Sequence, residues 1–83
     1  MSAIERVNKI EAMRHLLRDY FQDIFELAET NPEVFGENAD WAASDPKAFA
    51  TYQTNSYRKI LKSRKTDEVF KLYREHLADL QEN

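Results

Sequence analysis

Cysteine is absent from this 83-residue chain, glycine occurs once and proline twice. Without cysteine there is no disulfide scaffold, no thiolate nucleophile and no thiolate metal site, and a reducing, cytoplasmic setting is expected. A single glycine cannot build a phosphate-cradling loop. Apolar residues run no further than triplets such as Trp41-Ala42-Ala43. No stretch is therefore long enough to span a membrane, and Met1–Ile10 lacks the apolar core of a signal peptide. Strand signals are equally scarce. There is no sustained alternation of apolar and polar residues and no Asn-Gly or Asp-Gly hairpin turn.

What is present is a core. Ten aromatic residues stand beside eleven leucines and isoleucines, too many for a chain that stays disordered. One helical domain over residues 1–83 is expected. Folding at this length buries only ~60–65% of the unfolded surface. A deep catalytic pocket would remove core residues that such a domain can hardly spare, whereas a docking surface removes none. Size alone thus favours a binding module over an enzyme.

Ser2-Ala3-Ile4-Glu5 reads as a capping box, with Ser2 and Glu5 satisfying each other's backbone N–H groups. Ile10, Met13, Leu17, Tyr20, Ile24 and Leu27 follow at spacings of three and four, which predicts one long helix over residues 3–30. Leu16, Phe21, Phe25 and Ala28 widen its apolar stripe enough for two neighbours. Residues 31–45 are irregular, with one or two short helical turns: Asn31-Pro32 can open a turn and Gly36 can stop it. Asp45-Pro46 opens a second helix, 46–64, which Thr54-Asn55 can break. Thr66, Asp67 and Glu68 suit the start of a third, 67–82. The expected architecture is an all-α bundle of three main helices. A first helix of ~42 Å would outrun neighbours of ~28 and ~24 Å. Ile4, Val7 and Ile10 would then be left uncovered, a stripe suited to a homodimer or a partner.

Chemistry is hard to place. His15 shares a helix face with Glu11 and Asp19, and His76 lies near Glu75 and Asp79, but neither follows the Glu-x-x-His pattern of a helical carboxylate metal site. Ser2, Ser44, Ser56 and Ser63 sit at caps or in the irregular segment, away from any strand–turn–helix elbow. No catalytic residue, metal or cofactor is expected.

Charge is the strongest lead. Residues 31–50 hold four acids against one base, around Phe35 and Trp41. Arg58, Lys59, Lys62, Arg64 and Lys65 form a run of five bases without an acid, three of them (Arg58, Lys62 and Lys65) on one helical face. This run can meet nucleic-acid phosphates in a helix-turn-helix-like arrangement, with Asn55-Ser56 at the helix start. It can dock on an acidic protein, or it can be a solvated face balanced by Asp19, Asp23, Glu26 and Glu29. The net charge of -3 weighs against a dedicated nucleic-acid binder.

Three short stretches resemble known families. Asn55-Ser56-Tyr57-Arg58-Lys59-Ile60 is similar to a segment of the anti-sigma factor of T4-like phages. Ser44-Asp45-Pro46 with Ala50, Tyr52 and Gln53 resembles the start of the second helix in type III secretion needle subunits. Leu72-Tyr73-Arg74 spells the tripeptide of mitochondrial LYR proteins, though away from its place near the N-terminus of that family. Each covers about ten residues or fewer and assigns no site residue.

The leading expectation is a helical regulator, adaptor or inhibitor that covers a surface on a larger protein, using Phe35, Trp41 and the basic run. A nucleic-acid binder and a self-assembling subunit are the alternatives. With Trp41 as an exposed anchor, Trp41→Ala should weaken partner binding by ~1–3 kcal/mol and leave the thermal melt unchanged; a collapsed melt would instead put Trp41 in the core.

Overall fold

The computed structural model describes residues 8–82, and the chain is all-α: among these residues four helices and one 3₁₀ segment occur, with no strand. Helix α1 (Lys9–Thr30) is followed by a 3₁₀ segment (Pro32–Asn38), a short helix α2 (Ala39–Ser44), α3 (Pro46–Ser63) and α4 (Thr66–Glu82). The three long helices and the short turns between the first two match the expected bundle.

α1 begins later than the apolar spacing suggests. Asn8 is extended (φ -85°, ψ 174°), and its side chain accepts from the Glu11 N–H at 2.9 Å, so Asn8 is the N-cap. An Asn at this position satisfies an orphan amide and halts the helix on its N-terminal side. The Ser2–Glu5 capping box, with Ile4 and Val7, lies outside the described residues. Over its 22 described residues α1 is about 33 Å long.

The irregular segment turns on Gly36, at φ 59° and ψ -122°, the geometry of the first central residue of a type II′ turn and not the left-handed helical stop expected from sequence. Asn31 makes no side-chain cap bond. Asp45 does cap α3, accepting from the Ala48 N–H at 3.3 Å, with Pro46 in the first turn. α3 then runs unbroken through Thr54-Asn55 to Ser63. The expected break does not form: Thr54 is buried against the rest of the fold, and its polar neighbours find partners without leaving the helix. Thr51 and Ser56 hydroxyls donate to the carbonyls of Lys47 and Tyr52, and Asn55 accepts from Arg58. Arg64 is extended (φ -85°, ψ 154°), which separates α3 from α4.

Ridge-to-ridge pairing fixes the directions. Leu61, late in α3, clusters with Ala12, Met13 and Leu16, early in α1. Phe49, early in α3, packs with Ala28, late in α1. The two helices are therefore antiparallel. α4 returns parallel to α1: Tyr73 stacks on His15 (centroids 5.6 Å apart), and His76 reaches Asp19. The core has two parts. One joins Met13, Leu16, Leu17, Leu61, Val69 and Tyr73; the other joins Ala28, Ala42 and Phe49, with Ile24 and Phe35 against it. Tyr20 and Tyr57, with centroids 4.6 Å apart, pack across the α1–α3 interface.

Phe49 is fully buried and meets Phe35 edge-on at 4.7 Å and Trp41 at 5.2 Å. Phe49→Ala should therefore lower unfolding free energy by about 3–5 kcal/mol in urea titration; a loss below about 1 kcal/mol would show that this end of the core is not packed as described.

Candidate functional site

Between α1 and α3 lies an open groove of about 820 Å³. Its floor is Ile10, Met13, Leu17 and Phe21 from α1, with Thr54 from α3. Its rim carries Arg14 and Arg18 from α1 and Arg58 and Lys62 from α3, with Lys9 bridging the two helices at one end, Gln22 toward the other and no acid among the lining residues. On a helix turning about 100° per residue, the Ile10–Arg14–Phe21 face points away from the face of Ala12 and Asp19 that meets α4. The breadth of the apolar stripe on α1 thus has three uses: α3 covers its centre, α4 one edge, and the other edge floors the groove.

Local bonding sets the rim. The Lys9 ammonium donates to the carbonyls of Lys62 (3.2 Å) and Arg64 (2.7 Å), tying the start of α1 to the end of α3. A cation suits the unsatisfied carbonyls of a helix C-terminus. Arg58 donates to Asn55 at 3.1 Å, and Arg18 approaches Asp19 at 3.6 Å. Arg14 and the Lys62 ammonium have no ion-pair or hydrogen-bond partner among the described residues. Thr54 is buried, and its hydroxyl has no partner among them either.

The basic run does not form one face. Arg58 and Lys62 line the groove, whereas Arg64 pairs with Glu68 at 3.3 Å beside a second cleft between α3 and α4. Lys65 falls in the link between helices, because α3 ends at Ser63. Lys59 is exposed and lines neither groove. The expected balance of this run by Asp19, Asp23, Glu26 and Glu29 is not seen as ion pairs among the described residues. The cations that join Arg58 and Lys62 are instead Lys9, Arg14 and Arg18, set along α1 beside Ile10, Met13 and Leu17.

The aromatic candidates divide as well. Phe35 is half-buried against Phe49 and closes the core, so it is not a free anchor. Trp41 is 39% exposed, yet its ring leans on Phe49 and on Tyr52 (5.1 Å). Replacing it would remove core contacts together with any partner contact. Ile10, 68% exposed, is the one residue of the expected apolar overhang within the described region, and it sits on the groove floor.

The histidines are structural neighbours of α1 and α4. Asp19 meets His76 Nε2 at 2.5 Å, while His15 stacks on Tyr73. That bond is the largest influence holding the Asp19 carboxyl below its ordinary value of 3.8, and the nearby Arg18 adds to it. Burial, with Tyr20 beside it, pushes the Tyr57 phenol up. No group of three or more potential metal ligands occurs among the described residues, and no helix there is long and apolar enough to cross a membrane.

No family model matches the chain, and neither a curated protein nor a solved structure matches it.

Because Asp19 keeps its charge to lower pH in the folded chain than in the unfolded one, its contribution is complete above about pH 5. It is lost as pH falls through the lowered native value. Asp19→Asn should cost about 1 kcal/mol at neutral pH, and urea titrations at descending pH should show wild type and variant converging below the ordinary aspartate range; a constant difference would mean that the Asp19–His76 bond does not discriminate charge.

Proposed function

We propose that this protein is a non-catalytic interaction module, a regulator, adaptor or inhibitor that docks on a larger protein through the α1–α3 groove. The observation that carries this reading is the combination of an apolar floor with five basic residues on the rim, in a chain whose net charge is -3. Positive side chains gathered on one face of an acidic protein steer an acidic partner and fix its orientation, while Ile10 and Phe21 supply surface to be desolvated. A cytoplasmic setting fits the absence of cysteine from the sequence.

Nucleic acid is the weaker reading. Asn55-Ser56 lies inside α3 and starts no helix, so no N-terminal amides are open to a phosphate there. Self-assembly would use Ile10 in the same groove.

The test uses the partner recovered from the native host. Its affinity for the Arg14→Glu/Arg58→Glu double variant should fall by about tenfold or more relative to wild type, with the loss shrinking at high salt. Equal affinity would exclude the groove as the docking surface. A gel-shift titration at ~50 mM salt should show no binding of duplex or single-stranded DNA; a shift abolished by the same double variant would favour the nucleic-acid reading.

A further inference from the structure

Both walls of the groove are α-helices, and this limits what can lie in it. Away from the helix ends, backbone N–H and C=O groups of α1 and α3 are spent within their own helices, so the floor offers a guest chain no row of donors and acceptors. The one polar side chain on the floor is Thr54, a single buried hydroxyl. An extended peptide seated there would bury its own backbone groups without partners, whereas a helix satisfies them internally. Charge sets the second condition. Arg14 and Arg18 stand one turn apart on one rim, and Arg58 and Lys62 one turn apart on the other. The groove runs from Ile10 to Gln22 along α1, about 20 Å.

Resting on the docking reading above, we infer that the groove takes an amphipathic helix of about 13 residues from a partner protein, with an apolar stripe on Ile10, Met13, Leu17 and Phe21 and acidic residues one turn apart along both flanks. The guest lies across from α4, so that α1 becomes packed on every apolar edge. Its length matches the groove, and its acids meet a cation on each side of the stripe.

Three synthetic 16-residue peptides serve as probes: one with leucines in a single helical stripe flanked by glutamates, one of the same composition with the stripe scrambled, and one with the stripe kept and the glutamates replaced by lysines. Affinity is read by calorimetry and helix gain by far-ultraviolet circular dichroism. The striped acidic peptide should bind at least tenfold tighter than the other two and gain helix on binding. It should also lose at least tenfold on Ile10→Asp, an exposed position whose change leaves the core intact. If scrambled and striped acidic peptides bind equally, and Arg14→Glu/Arg58→Glu abolishes both, acidic docking stands and the helical guest is wrong. If neither acidic peptide binds, both the guest and the docking reading fall. Sedimentation equilibrium adds one more outcome: a dimer that Ile10→Asp dissociates would make a second copy the occupant and overturn the inference.

Discussion

Every other element packs on α1, and that constraint organises the molecule. α3, α4 and the short connecting segments all lean on this one helix, while α3 and α4 approach each other little. A helix that serves as a shared spine needs apolar side chains around more than one edge. α1 meets the requirement with Leu16 and Tyr20 bordering Met13, Leu17 and Ile24. The cost is that any edge left without a neighbour faces water.

The groove is that edge. Ile10 and Phe21 complete the stripe on the side away from α4, with Ile10 exposed and Phe21 half-buried beside Phe25. Arg14 and Arg18 border the stripe at the same helical period, so one repeating pattern supplies both the floor and a basic rim. Lys9 holds the groove's open end by bonding to the carbonyls at the end of α3, which keeps Lys62 beside α1. The chain thus combines a fixed scaffold with an uncovered apolar strip under positive charge. On a protein with more acids than bases, that placement gives the surface a direction.

Much of the fold was legible because helical periodicity and caps are local. The three long helices and the Asp45-Pro46 start follow from short-range rules, whereas Gly36 turns the chain in a different geometry from the left-handed stop its position suggests. The start of α1 was not: the apolar spacing runs on past Asn8, whose side chain caps the helix that begins at Lys9. The continuity of α3 was hidden for a related reason: Thr51 and Ser56 read as breakers, yet their hydroxyls bond back to the preceding turn. Long-range pairings were least visible. Nothing along the chain marks Asp19 and His76 as partners, since each has other charged neighbours on its own helix. The basic run drew attention by its density, but folding sends Arg64 to Glu68 and Lys65 to a link, while Arg14 and Arg18, spaced through α1, join Arg58 and Lys62. Groups that a site gathers from two helices are dispersed in sequence, whereas a dense run need not share a face.

The central claim is that the uncovered edge of α1, together with the facing side of α3, is where this protein meets its partner. Amide chemical-shift mapping during titration with an acidic amphipathic peptide tests it most directly. The account requires perturbations concentrated over residues 10–22 of α1 and 54–62 of α3. Perturbations centred on the Phe35–Trp41 end, or along α4, would contradict it.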